Sequence, residues 1–399
     1  MSTPLNYLRW RGDLPINHAH PVNSVDAALF ASLMYLPIDA SANGHNLAEA
    51  AQRLKREADF QTQMRAETGS KIELLPHSPR FGKITILDWT NRLEKDPLPL
   101  QFNAATFRLD KGTILVAYRG TDTSMIGWNE DFNMNYMPEI YGQTVAAKYL
   151  KTIAKKFPND KIYLTGHSKG GNFALYALSV MPIATQDRIV RAFNFDGPGF
   201  YYQIANQPGF KRALPKMKTY IPEKSGIGAM LDHPERTLIV KSVFSSLLQH
   251  NPRRWSVGRD SFVLAKELAP ESRIFRHALI HFNHSIPRKK RRLVFPALFN
   301  AFENDDITDL SQLGSNKLTS AYRLSRVFLA LDPSIRQVFT AMLGDILTSY
   351  RQNLNLPFID SRYRNYPASN DSSKAPIFFE FYDPHFYPKD HPHRKPADS

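Results

Sequence analysis

The stretch Ile162-Tyr163-Leu164-Thr165-Gly166-His167-Ser168-Lys169-Gly170-Gly171-Asn172-Phe173-Ala174-Leu175 constrains the fold of this chain more than any other. A short apolar run behind Lys161 has the character of a buried strand. An apolar helical pattern follows over residues 173–180. Between them, Gly166, Ser168 and Gly170 spell G-x-S-x-G. A serine at the tip of so sharp a turn needs a strained backbone. The flanking glycines are required because a Cβ there would collide with the neighbouring strand or helix. The hydroxyl is then held clear of the backbone at the positive end of a helix. The pattern predicts a nucleophile elbow. The competing reading is a glycine-rich turn carrying an inert serine, and the strand before and helix after favour the elbow.

An elbow needs a sheet around it, and the rest of the chain supplies one. The 399 residues are 42% hydrophobic, enough for a substantial core. No apolar run approaches the roughly 20 residues of a membrane-spanning helix. Residues 1–13 lack an apolar signal core, so a cytoplasmic location is expected, with membrane-peripheral contact as an option. With no cysteine, disulfides, thiolate catalysis and cysteine–zinc sites are excluded. The net charge of +14 is concentrated: residues 208–292 carry 18 Lys+Arg against 6 Asp+Glu, a local +12. Such a segment suits an anionic membrane surface or an acidic substrate, or is simply a solvated face. Nucleic acid is not the expected partner. The run Arg288 to Arg292 resembles a nucleic-acid patch by composition only.

Taken in order, Asn23-Ser24 reads as a cap for a helix over 25–35, and a second helix is expected over 47–67. Strands are expected at 83–88, 102–109 and 113–118, the last two joined by an Asp110-Lys111-Gly112 turn. Residues 123–141 read as a loop that could hang over the site, and 142–157 as an amphipathic helix. Further strands are expected at 188–195, 217–221 and 237–240. Strands alternating with helices predict a mostly parallel sheet with helices on both faces, and chemistry at the carboxyl ends of its strands. The expected division is a domain over 1–285, with its N-terminal helical segment at 1–80. A helical appendage over 286–366 and an extended or disordered tail over 367–399 would follow.

A serine hydroxyl needs a base, and the base an orienting acid. In elbow folds these follow the serine in the order acid, then histidine. Asp196 ends the next strand in a Gly-Pro turn, and His250 follows the last strand, so Ser168, Asp196 and His250 satisfy order and placement together. Rival acids are Glu223 and Asp232, and the rival base is His233. His167 neighbours the serine, but its side chain is expected to point away from it. For the oxyanion, one N–H is expected from Lys169 and the other from Gly120-Thr121, with the Thr121 hydroxyl as a further donor. No cofactor is implied. His281-x-x-His284 lacks a nearby third ligand for a metal.

The elbow, Tyr118-Arg119-Gly120-Thr121 and Phe195-Asp196-Gly197-Pro198-Gly199-Phe200 together resemble an uncharacterised bacterial α/β-hydrolase family related to the class 3 lipases. Residues 7–13, 127–133 and Gln249-His250 with Trp255 extend the resemblance over about residues 5–265. It implies an α/β-hydrolase fold, an oxyanion donor at Thr121, a nucleophile at Ser168 and a base at His250. It departs at the acid: the lipases carry an aspartate after the penultimate strand, where this chain has Ser225. The expected function is a serine hydrolase acting on a lipid or other acyl ester. The alternatives are a non-catalytic protein of the same fold that binds an anionic surface or partner, and an acyltransferase.

Overall fold

The computed structural model describes residues 2–56, 73–134, 136–243, 249–285, 288–304, 317–341 and 344. Seven strands form one sheet in strictly sequential order: β1 (Thr85–Glu94), β2 (Leu100–Asp110), β3 (Thr113–Tyr118), β4 (Lys161–His167), β5 (Ile189–Phe195), β6 (Met217–Pro222) and β7 (Arg236–Val240). The first three are antiparallel, and β3 through β7 run parallel. The β2–β3 turn is tight because Gly112 takes φ +75°, which residues with a Cβ rarely adopt.

Sequential order has a consequence for layering. Crossovers of one hand that always step to the next strand lay their helices on the same face. Here α5 (Tyr141–Lys156), α6 (Lys169–Ser179) and α9 (Pro208–Ala213) cover that face. They pack on Ile114, Val116, Tyr118, Ile162 and Leu164. The opposite face, carrying Leu115, Ala117, Phe193 and Tyr220, must be covered by something else. That cover is the N-terminal segment: α1 (Pro4–Arg11), α2 (Ser24–Leu33) and α3 (Leu47–Arg56). The period-2 alternation of β3 between the two cores is the expected mark of a strand buried on both sides.

The N-terminal segment is locked by a buried polar network. Asp26 on α2 accepts from Arg80 Nε (2.7 Å), from Arg80 Nη2, from Tyr7 Oη on α1 (2.9 Å) and from the Asn23 N–H (2.9 Å). Asp26 and Arg80 are both inaccessible to solvent. Arg80 also reaches the carbonyls of Leu14 and Pro21. Three chain segments thus converge on one carboxylate. The expected cap is present: Asn23 Oδ1 accepts from the N–H groups of Val25 and Asp26.

Two expectations change. Residues 123–141 are not a loop throughout: α4 spans Met125–Asn133, with Ser124 as its N-cap. A further helix not expected from the sequence, α10 (Pro270–Ser285), follows the sheet. The short helices α7 (Ile183–Arg188) and α8 (Tyr202–Ala205) sit in the crossovers. Beyond α10 come α11 (Arg288–Asn304) and α12 (Lys317–Ala330). Phe299, Phe302 and Val327 from this pair, with Leu331 just beyond α12, form a small core with Met125, Trp128 and Phe132 of α4. The tail over 367–399 and the second half of the expected 47–67 helix lie outside the described residues.

Candidate active site

Ser168 sits between β4 and α6 with φ 57° and ψ −134°, and its side chain does not cap the helix it precedes. Only three residues other than glycine have positive φ among those described, and Ser168 and Asp196 are two of them. Backbone strain of this kind costs on the order of 1–3 kcal/mol and persists only where the surroundings impose it. The glycines show how they do so. A Cβ on Gly166 would strike the Gly170 carbonyl, and one on Gly170 would strike the Tyr118 carbonyl of β3. One on Gly171 would strike the Asn194 amide of β5. The Ser168 N–H donates to Phe195 O at 2.9 Å, tying the turn to the end of β5.

Asp196 follows directly. Its N–H donates to Tyr220 O (2.8 Å), and its carboxylate is fully buried. Oδ1 accepts from Ser225 Oγ and from the Gly228 N–H (3.2 Å), and Oδ2 meets His250 Nδ1 at 2.7 Å. A carboxylate acceptor requires the proton on Nδ1, which leaves Nε2 as the imidazole's free lone pair. Ser225, at the position where the sequence comparison expected an acid, instead donates to the acid one strand earlier. Asn172 of α6 steadies the same turn by donating to Gly199 O (2.9 Å) and Pro198 O (3.2 Å).

The rival residues go elsewhere. His233 is buried with Nδ1 on Glu235 Oε1 at 2.7 Å, and Asp232 faces Arg276. The Glu223 backbone pairs with Val240 and Ala269. Among the described residues, the carboxylate that meets His250 is that of Asp196.

The Gln249-His250 pair is held from three sides. Trp255 Nε1 donates to Gln249 O (2.7 Å), and Gln249 Oε1 accepts from the Lys224 N–H (2.9 Å). The third contact comes from His167. Its ring centroid lies 4.5 Å from that of His250, and its Nε2 lies 2.8 Å from the His250 carbonyl oxygen. A carbonyl can only accept, so His167 Nε2 carries the proton and Nδ1 accepts from Tyr35 Oη at 2.9 Å. Burial pushes the Tyr35 phenol well above its ordinary value, so it stays a donor. From the sequence alone, the His167 side chain is expected to point away from the serine, and no role for it is legible. Strand alternation places it with Thr165 on the α2 face, where Thr165 Oγ1 donates to Ala27 O. We expect His167→Phe to lower kcat roughly ten- to a hundredfold with little change in KM, because a shift of the base of about 1 Å suffices for that. An unchanged kcat would show that the Tyr35–His167 chain does not position His250.

The loop after β3 lies against the serine: a Cβ on Gly120 would come within 2.9 Å of Ser168 Cβ. The Thr121 hydroxyl donates to Asp131 Oδ2 at 2.6 Å, so it is committed to α4. The Lys169 side chain is buried, with Nζ 2.7 Å from Glu130 Oε2 and 3.4 Å from Asp131 Oδ1. Burial works against the Lys169 charge, but Asp131 and Glu130 outweigh it and hold its pKa above the usual lysine value. The ammonium therefore clamps α4 to the elbow. No cluster of histidine and carboxylate groups among the described residues is arranged to hold a metal. The side chains of His281 and His284 are not among those described.

A mostly parallel sheet with a strained serine turn at its carboxyl edge and helical layers on both faces defines an α/β-hydrolase-fold protein. The chain belongs to the Mbeg1-like family, which matches residues 75–300. Similar solved structures include the Rhizomucor miehei lipase in its propeptide complex. That match has 16% identity and a TM-score of 0.32, over 49% of this chain and 66% of that one. Lipase II from Rhizopus niveus matches at 16% identity and a TM-score of 0.31, over 53% and 83% of the two chains. The Lip2 lipase from Yarrowia lipolytica matches at 12% and 0.28, over 45% and 82%. The chain thus spans just under two thirds of the Rhizomucor lipase. No curated protein matches the sequence. No helix among the described residues is long and apolar enough to cross a membrane.

Proposed function

We propose that this protein is a serine hydrolase that cleaves a carboxylic ester, with a lipid or other acyl ester as substrate. The supporting observation is the 2.7 Å contact between the buried Asp196 carboxylate and His250 Nδ1, at the same sheet edge as Ser168. Ser168 Oγ attacks the ester carbonyl as His250 Nε2 takes its proton. The Thr121 and Lys169 N–H groups receive the oxyanion. The tetrahedral species collapses, and His250 returns the proton to the departing alcohol. Water, deprotonated by the same nitrogen, then releases the acid and restores the serine. Asp196 keeps the imidazole in the required tautomer and offsets its positive charge.

A fluorophosphonate probe is the direct test. Labelling is expected at Ser168 when the adduct is mapped by mass spectrometry, and none is expected in Ser168→Ala. Well-folded wild-type protein that takes up no probe would leave a non-catalytic protein of this fold as the better reading. A panel of acyl esters of different chain length then defines the substrate.

A further inference from the structure

A second site lies at the amino ends of β5, β6 and β7, the sheet edge opposite Ser168. A cleft of about 310 Å³ opens there, lined by Arg191, Lys218 and Arg236 above Phe193 and Tyr220, with Ser24 of α2 on its wall. We propose that it binds a dianionic phosphoryl group. The proposal is independent of the ester-hydrolase reading.

Register brings the three cations together. Phe193 pairs with Lys218, and Lys218 with Arg236, across neighbouring parallel strands. Alternation puts Arg191 on the same face as Phe193. Strand spacing of about 4.8 Å then places three positive side chains across roughly 10 Å of sheet. Like charges on adjacent strands repel and destabilise the sheet. Asp260 is the one acidic residue lining the cleft. Among the described residues, no ion pair includes Arg191, Lys218 or Arg236.

Elsewhere in the basic segment, several cations are paired with carboxylates. Arg212 pairs with Asp187, Lys224 with Glu271 and Arg273 with Glu267. The cleft gathers three cations that no carboxylate pairs among the described residues. It is also partly organised: Arg191 Nη1 donates to Pro215 O at 2.9 Å, and Lys218 Nζ lies 5.1 Å from the centre of the Tyr220 ring. Phe193 and Tyr220 are themselves buried, so the cations stand on a low-dielectric floor where charge-assisted hydrogen bonds to an anion are strengthened. Ser24 supplies a hydroxyl as a neutral donor. A phosphoryl group offers three acceptor oxygens to such a set, whether it belongs to a soluble phosphorylated compound or to a phospholipid headgroup.

The test is calorimetric titration of the full chain with pyrophosphate at fixed ionic strength. Wild type is expected to bind one equivalent saturably. Lys218→Ala and Arg236→Ala are each expected to weaken binding by about tenfold or more. Lys155→Ala, an exposed change on α5, should match wild type, and thermal melts should show all three folded. Vesicles of phosphatidic acid in phosphatidylcholine separate the two sources. Vesicle binding displaced by pyrophosphate identifies a headgroup site, and pyrophosphate binding without vesicle binding identifies a soluble ligand. Absence of saturable pyrophosphate binding, or binding equally strong in the two cleft variants, overturns the proposal.

Discussion

Asp196→Asn is expected to lower kcat by about 10⁴-fold while the protein stays folded. An asparagine oxygen can still accept from Ser225 Oγ and the Gly228 N–H, the two partners of Asp196 Oδ1. The amide nitrogen then faces His250 Nδ1, where Oδ2 now sits at 2.7 Å. A donor in that place moves the imidazole proton to Nε2, so the nitrogen proposed to take the Ser168 proton carries a proton instead of a lone pair. Binding contacts to substrate are untouched, so KM should change little, and the loss should appear in both kcat and kcat/KM. Circular dichroism and a thermal melt close to wild type would establish that the effect is chemical. A loss under tenfold in a folded Asp196→Asn protein would show that Asp196 is not the orienting acid.

Asp26→Ala is the substitution with the largest expected effect on stability. It leaves the Arg80 guanidinium, inaccessible in the native state, without its carboxylate. Uncompensated buried charges of this kind cost about 3–5 kcal/mol. It also removes the acceptor for Tyr7 Oη and for the Asn23 N–H, so α1 loses one of its ties to α2, keeping the bond from Asn23 Nδ2 to Tyr7 Oη (2.8 Å). The melting temperature should fall by roughly 10 °C. Replacing both partners, as in Asp26→Leu with Arg80→Met, should be closer to wild type than Asp26→Ala alone, because no charge is then stranded. A single variant within about 1 kcal/mol of wild type would mean that water reaches Arg80 and that the network does not fasten the N-terminal segment.

The parts of the site that were legible in the sequence are those whose backbone demands are local. Gly166, Ser168, Gly170 and Gly171 are dictated by a turn in which a Cβ would meet carbonyl or amide oxygens from β3, β5 or α6. Asn23 announces α2 because a cap satisfies N–H groups two and three residues on. Helix α4 was hidden for the opposite reason. Its charged residues Glu130 and Asp131 face inward to Lys169, so a pattern reading that assigns charges to solvent finds no helical face. Ser124 was the available signal, since its hydroxyl accepts from the Gly127 N–H. No role for His167 is legible in the sequence because its partners, Tyr35 and His250, lie 132 and 83 residues away along the chain.

By itself, the sequence determined the glycine-flanked serine turn, the alternation of strands and helices, and the chain order of the candidates Ser168, Asp196 and His250. These follow from steric limits and periodicities that act over a few residues. Only the tertiary structure decided that Asp196 is the carboxylate at His250, that Ser225 supports it, that His167 meets the His250 carbonyl and that Trp255 fastens the neighbouring Gln249. It also decided that the N-terminal helices form the second layer of the sheet. Those outcomes depend on which residues meet at a shared sheet edge or face. That is settled by strand order and packing between distant segments, which no short-range pattern encodes.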